Sequence, residues 1–275
     1  MDVLIIGGGG QVGSAVASRL DNNISVSRSE GDIQADITTT SIIDVIMDTS
    51  PDVIVHTAAY HRMDEVENNP QRSREVNVEG TQRIMKAAEK TDSHTIFLST
   101  DNVYEGVAGF YSEDDNTNPT NVYGRHKLEA EGIVERGSVP TTILRTSLVF
   151  DEGHDNFFTW IQSHLEEADS VGIVTDQVCN PTYAGDLANI IKETARKGIT
   201  GRFNTAGASV TSRYEAACVM DQEIGLNGQI QKVTRKDVDW EANRPPNTSL
   251  CLRKLLSNFN STPRTLSQGI RAAFR

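Results

Sequence analysis

The stretch that most constrains this chain is its beginning, Met1-Asp-Val-Leu-Ile-Ile-Gly-Gly-Gly-Gly-Gln-Val-Gly13. Val3 to Ile6 is a short apolar run with the length of a buried strand. It runs directly into glycines and then into Ser14–Leu20, which has helical spacing. Strand, glycine turn and helix in that order are the context of a dinucleotide-binding fingerprint. Two registers fit: Gly8, Gly10 and Gly13 as G-x-G-x-x-G, or Gly7, Gly10 and Gly13 as G-x-x-G-x-x-G. In either, the first glycine permits the tight turn, Gly10 lets backbone approach a pyrophosphate, and Gly13 lets the helix sit close to the strand. Gln11, Val12 and Gly13 would then turn their free N–H groups toward the phosphates.

The rhythm continues downstream. Ile24–Ser27 reads as a second strand, Ser41–Asp48 as an amphipathic helix stopped by Pro51, and Asp52–Ala59 as a buried strand ending in small Ala58 and Ala59. Small residues at a strand's carboxyl end let a cofactor pass close. A long helix is predicted from Ser73 to Lys90, with Gly80 inside it for close packing, and a strand over Thr95–Thr100. Residues 105–120 read as a loop, Asn121–Glu129 as the start of a helix, and Thr141–Ser147 as a strand. Strands alternating with helices through residue 150 predict a doubly wound, parallel α/β sheet of Rossmann type. The expected division is an NAD(P)-binding domain over 1–150, with segments near 184–206 returning to it, and a smaller substrate-binding α/β region over 151–275.

At 275 residues the chain can bury a full core. It is 37% hydrophobic with a mean hydropathy of −0.39, and no apolar run approaches the roughly 20 residues of a membrane span. The start carries no signal-peptide pattern, so a cytoplasmic protein is expected. A net charge of −12 disfavours nucleic acid and anionic membranes as partners. Scarce lysine beside plentiful Asp and Glu is also the surface of a halophilic protein, an expectation that activity in molar KCl tests. Cys179, Cys218 and Cys251 form no C-x-x-C pair and argue against a disulfide framework or structural zinc. Trp160, Trp240 and His56 are expected in the core, and His61 near the cleft.

Cofactor choice is written at the end of the second strand. A Rossmann fold often carries an acid there for the adenosine ribose, but this chain has Ser27-Arg28-Ser29. Arg28 suits a 2'-phosphate and so favours NADPH over NADH. Asp36 and Ile37 are placed at the adenine pocket. Tyr123 and Lys127 are four apart, which on a helix puts both on one face. An ammonium near a phenol favours the phenolate and lowers its pKa, fitting Tyr123 as a general acid near neutral pH. Thr100, at the end of the preceding strand, can donate to the same carbonyl oxygen.

With these motifs in view, the chain resembles the extended short-chain dehydrogenase/reductases. Within them it resembles the RmlD-like, dTDP-4-dehydrorhamnose reductase family. The resemblance runs through Gly7–Gly13, Ala58-Ala-Tyr60 with Asp64 and Glu67, Asn77–Thr81, Ser99-Thr-Asp101, Tyr123–Lys127, Arg145-Thr-Ser147, Asp176-Gln177, Pro181-Thr182, Asp186–Ala188 and Arg244-Pro-Pro-Asn247. It implies Thr100, Tyr123 and Lys127 as the catalytic triad, with Tyr123 supplying the proton when NAD(P)H reduces C4 of a nucleotide-linked keto sugar. It places Ala58, Ala59, Tyr60, Ser99, Tyr123 and Lys127 on the cofactor, and Thr100, Asp101, Asn102, Leu148, Arg244 and Asn247 on the substrate. The family often has Tyr where this chain has Asn102, and Trp where it has Leu148, which leaves the particular sugar open. Ala15 replaces a carboxylate that holds Mg2+ in some members, so no metal is expected. The partners implied are a dTDP-linked sugar and, with the oligomeric state left open, a second copy in a homodimer. Two rivals remain: a sugar-nucleotide epimerase or dehydratase, disfavoured because Asn102 replaces the dehydratase Glu, and a non-catalytic NADP-binding regulatory subunit of methionine adenosyltransferase type.

Overall fold

The structure, a computed structural model, describes residues 1–274. Seven strands make one sheet: β1 (Val3–Ile6), β2 (Asn23–Ser27), β3 (Ile33–Gln34), β4 (Val53–His56), β5 (His94–Thr100), β6 (Thr141–Thr146) and β7 (Gly201–Asn204). Their spatial order is β7-β6-β5-β4-β1-β2-β3, and every neighbouring pair is parallel. This is the Rossmann arrangement the alternating pattern predicts. β1 and β4 are buried at every position, as strands covered on both faces must be.

Alternation along the strands sorts the core into two layers. Val3, Ile5, Val53 and Val55 face one side, where they meet Val12 and Val16 of helix α1 (Gln11–Ala17). Leu4, Ile6 and Ile54 face the other, against Ile42, Ile46 and Ile84 and against Ala130 and Val134 of helix α2 (Val122–Glu135). Helix α3 (Ala184–Lys197) joins the first layer through Leu187, Ile190 and Ile191. The chain leaves β1 toward β2 and β3, then crosses back to β4. The crevice between the carboxyl ends of β1 and β4 is therefore the topological switch point, where an open α/β sheet takes its ligand.

The helix expected over Ser73–Lys90 begins earlier, at Pro70, and is not regular. A π-helical turn, Glu75–Glu79, interrupts it between Pro70–Arg74 and Gly80–Thr91. The bulge has two correlates. A Cβ on Gly80 would stand 2.9 Å from Ile37 Cδ1, so the helix lies hard against the segment after β3. Asn77 accepts from the Tyr60 amide and donates to the Tyr60 carbonyl, both at 2.9 Å, holding the loop after β4. Such bulges recur at functional sites.

After residue 150 the elements shorten. The helix Phe157–Glu167 stands where periodicity puts it. Around it lie three two-stranded ladders: Val149–Phe150 with Thr182–Tyr183, Val178–Cys179 with Thr211–Ser212, and Ser170–Val174 with Gln229–Val233. Phe150, Phe158, Met220, Leu266 and Ile270 form a separate apolar core there. Between these pieces, α3 and β7 belong to the main sheet and its cover.

Two core expectations fail. Trp160 is 41% exposed, beside His164 with the two rings tilted by 44°, and Trp240 is only half-buried, under the Arg244 guanidinium. Phe158, Ile161 and Leu165 take the buried face of the helix Phe157–Glu167, which leaves Trp160 on its open side. His56 is buried as expected, its Nε2 3.0 Å from Thr81 Oγ1, but its Nδ1 has no partner; burial pushes the imidazole down to about 3, so it is neutral. The three cysteines are free: Cys179 is buried, Cys218 and Cys251 half-buried.

Candidate active site

A cleft of about 930 Å3 opens at the switch point. Its floor is the glycine turn. Gly7 sits at φ +94°, a conformation that side chains disfavour, and its carbonyl accepts from the Gly10 amide at 3.0 Å. A Cβ on Gly13 would collide with that same carbonyl. Gly7 lines the cleft and Gly8 instead faces Ser25, so the working register is Gly7-x-x-Gly10-x-x-Gly13. Gly10, Gln11, Val12 and Gly13 all line the cleft, and the first turn of α1 has no side-chain cap. Its amide donors are left for an anion.

One end of the cleft is bounded by Ser27, Arg28 and Ser29 at the end of β2, and by Asp36 and Ile37 after β3. Arg28 is exposed. Asp36 Oδ1 accepts from the Thr38 amide and hydroxyl, both at 2.8 Å, and Arg72 stands 4.0 Å from Oδ2. Burial alone would raise this carboxyl; the Thr38 bonds and the Arg72 and Arg28 charges outweigh it and hold it below its ordinary range. Ala58, Ala59 and Tyr60 form the rim above β4, fixed by Asn77.

The opposite wall carries the reactive groups. α2 starts at a buried N-cap, Asn121, whose Oδ1 accepts from the Gly124 amide at 2.8 Å and whose Nδ2 donates to the Asn243 carbonyl at 3.0 Å. A side chain at Gly124 would collide with the Asn102 carbonyl, so the helix begins flush against the turn after β5. This brings Tyr123 and Lys127 beside Ser99, Thr100, Asp101 and Asn102 on one face of the cleft. Thr100 Oγ1 donates to Asp101 Oδ1 and accepts from the Asn102 amide, both at 3.2 Å. Asp101 is buried and also receives Ser147 Oγ at 2.6 Å and Thr248 Oγ1 at 2.5 Å. Burial nevertheless pushes its carboxyl up. Among the described residues, no group of three or more His, Cys, Asp or Glu is placed to hold a metal.

The expected lysine-lowered phenol is not what the structure holds. Burial, then the Asp101 charge, push Tyr123 well above the ordinary phenol range, with the Thr100 hydroxyl acting weakly the other way. Lys127 is only 2% exposed; its Nζ donates to the Leu98 carbonyl at 2.8 Å and lies 3.9 Å over the Phe97 ring. Burial brings it down to about 7, against the pull of Glu131 one turn below. The spacing put both side chains on one face, but with the ammonium on the Leu98 carbonyl and over the Phe97 ring it does not lower the phenol.

Leu148 lines the cleft at φ +37°, held by its carbonyl accepting the Thr182 amide at 3.0 Å. Arg244 and Asn247 are not brought into the lining. Arg244 Nη2 bonds Asp64 Oδ2 at 2.6 Å, and Asn247 Oδ1 is taken by the Ser249 amide and hydroxyl. Both are tethers of the C-terminal segment. Sequence reasoning missed Arg72 and His154, which line the cleft, and the buried pair beneath it. There, Arg145 makes two bonds to Glu131, at 2.9 and 2.6 Å, while Ser99 Oγ donates to the same carboxylate at 2.5 Å. Glu131 lies four residues after Lys127, the one signal that could have found it.

A Rossmann cleft with a glycine turn on its floor and Thr, Tyr and Lys on one wall defines the short-chain dehydrogenase/reductase class. A family model described as the RmlD substrate binding domain matches residues 1–275, the entire chain. A dTDP-4-dehydrorhamnose reductase of Aggregatibacter actinomycetemcomitans is 33% identical, covering 95% of this chain and 94% of the relative. The methionine adenosyltransferase 2 subunit beta of Bos taurus is 31% identical over 84% of this chain and 70% of its own. The crystal structure of a Bacillus anthracis dTDP-4-dehydrorhamnose reductase in complex with NADP superposes with a TM-score of 0.93 at 24% identity, covering 100% of this chain and 99% of that one. The chain belongs to the RmlD, dTDP-4-dehydrorhamnose reductase family.

Proposed function

We propose that this protein is an NAD(P)H-dependent reductase that converts dTDP-4-dehydrorhamnose to dTDP-L-rhamnose. The observation that carries the reading is the convergence of Thr100, Tyr123 and Lys127 on one wall of a cleft floored by Gly7–Gly13. The site fits a dinucleotide: Gly10 puts no side chain between the cleft and an uncapped helix start, and the small Ala58 and Ala59 form the rim. Gly7, Gly10, Gln11, Val12 and Gly13 would hold the pyrophosphate, with Asp36 and Ile37 at the adenine and Ala58, Ala59, Tyr60 and Ser99 along the rest. When bound, the dinucleotide supplies the hydride that C4 of the sugar receives.

Tyr123 carries its proton throughout the neutral range and delivers it to the sugar's O4. Thr100 donates to that oxygen and holds it in place. Lys127, reached from the same helix face, binds the nicotinamide ribose and offsets the charge left on the phenolate. Asp101 acts through Thr100, Ser147 and Thr248, and Asn102 and Leu148 shape the sugar pocket. Arg28, exposed beside the ribose position, favours NADPH over NADH. No helix among the described residues is long and apolar enough to cross a membrane, and a cytoplasmic site of action fits that.

The test mixes purified protein, NADPH and dTDP-4-dehydrorhamnose and follows the nicotinamide absorbance. Oxidation that requires Tyr123 is expected; no oxidation by the unaltered protein, or a full rate in Tyr123→Phe, rejects the reading. The likeness to the methionine adenosyltransferase subunit supports one second reading, a non-catalytic NADP-binding regulator. Copurification with a synthetase, without keto-sugar turnover, would favour it.

A further inference from the structure

Two arginines line the adenosine end of the cleft, and they stand on different elements. Arg28 follows β2 between Ser27 and Ser29. Arg72 lies in the helix Pro70–Arg74, across the cleft's rim, 43% exposed, with Nη1 3.3 Å from Glu75 Oε2 and Nη2 4.0 Å from Asp36 Oδ2. One helical turn further on, Val76 also lines the cleft, and with Ala35, Ile37 and Ala58 it bounds an apolar slot. Asp36 marks the edge of that slot: its Oδ1 is satisfied by Thr38, while among the described residues Oδ2 has no hydrogen-bond donor within reach and Arg72 only at ion-pair distance, with the Arg28 charge acting from further off. A flat apolar slot with one free carboxylate oxygen at its edge suits a purine ring that presents an exocyclic amine. A planar guanidinium at the mouth of such a slot can lie over the ring face.

We propose that Arg72 is a base-binding residue of the cofactor site: it covers the purine base of the dinucleotide, whereas Arg28 reads the ribose phosphate. This rests on the NAD(P)H reading above. Arg72 stands one turn before Val76, on the base side of the slot, and so its contribution is common to NADH and NADPH.

The test measures KM for both cofactors and two fragments. Arg72→Ala should raise KM for NADH and NADPH by the same factor, about three- to tenfold for a partly exposed stacking contact, with kcat unchanged at saturation. Arg72→Lys should not restore binding, because a point charge lacks the planar face. Inhibition by AMP, which carries the base, should weaken by the same factor. Turnover with reduced nicotinamide mononucleotide, which lacks it, should be unchanged. A loss confined to NADPH, full rescue by Lys, an equal loss with reduced nicotinamide mononucleotide, or no change in either KM would each overturn the assignment. Arg28→Ala separates the two claims: a loss confined to NADPH there, with no effect of Arg72→Ala, leaves the reductase reading standing and removes this one. An unaltered protein that binds neither cofactor ends both.

Discussion

The half of the molecule that holds the glycine turn and the half that closes over it are built by different forces. In the first, fully buried apolar strands pack between helices, and the alternation of Val3, Leu4, Ile5 and Ile6 decides which helix meets which face. In the second, most strands are two residues long and buried polar side chains bind distant backbone. Asn180, only 1% exposed, donates to the Gly207 carbonyl at 3.0 Å and accepts from the Leu250 amide at 2.8 Å. Thr182 Oγ1 donates to the Ser147 carbonyl at 2.5 Å. Hydrophobic layering is tolerant of sequence as long as pattern and volume persist. A polar knot is not, because each unpaired buried group costs roughly 1–3 kcal/mol. The reactive wall stands on the layered half, and bonds such as Thr248 on Asp101, Asn243 on Asn121 and Arg244 on Asp64 carry it across to the knotted one.

If the chemistry belongs wholly to the layered half, the largest effect comes from removing one oxygen there. Tyr123→Phe should lower kcat roughly 10²- to 10⁴-fold, the range for a lost general acid, with little change in thermal stability. Steady-state rates with a nucleotide keto sugar check it; a fall confined to KM would move the proton donor elsewhere.

Next comes the buried pair under that wall. Glu131 and Arg145 are each 1% exposed, and Arg145 also donates to the Tyr104 hydroxyl at 2.7 Å. Glu131→Gln leaves a buried guanidinium without its counter-charge, a loss of about 3–5 kcal/mol. Tm should fall by roughly 10 °C or more. A melt within a couple of degrees of the unaltered protein would mean that packing, not the pair, sets this wall.

How much of this was legible follows the same divide. The glycine turn, the strands through Thr146 other than the two-residue β3, and the convergence of Thr100, Tyr123 and Lys127 were readable, because periodicity and spacing are local signals. The choice between the Gly7 and Gly8 registers was not, since it depends on which glycine meets Ser25 and which opens on the cleft. The direction of the Tyr123 shift was misread: spacing reports that an ammonium is near, whereas burial and Asp101 act through the fold. Arg244 was legible as important, but its pairing with Asp64 was not, because that partner lies 180 residues away. Arg72 sits in a helix whose π-helical turn no propensity announces.

Lys127 gives the pH test. Its ammonium form is the one that binds a ribose hydroxyl and offsets a phenolate, and burial has brought it down to about 7. The protonated fraction is full below that value and is lost as pH rises through it. The phenol, shifted upward, does not titrate in the same window. We expect kcat to fall as pH rises above about 7, approaching tenfold per unit. Lys127→Arg, charged throughout, should flatten the profile at a lower absolute rate. A level profile from pH 6 to 9 in the unaltered protein would show that the lysine stays charged in the working complex.

The smallest expected effect decides how the knotted half reaches the chemistry. Arg244 is 14% exposed and its partner Asp64 39%, so solvent screens the pair and its loss should cost about 1 kcal/mol or less. The segment it anchors includes Asn243, whose carbonyl receives Asn121 at the start of α2. If Arg244 is a tether, Arg244→Ala and Asp64→Asn should raise KM for the sugar nucleotide by the same few-fold factor. KM for the cofactor should hold. If Arg244 instead leaves Asp64 to clamp the substrate diphosphate, Arg244→Ala alone should raise that KM tenfold or more, and Asp64→Asn, by freeing the guanidinium, should lower it. Opposite signs from the two variants would place Arg244 among the substrate's ligands; equal signs keep it in the frame.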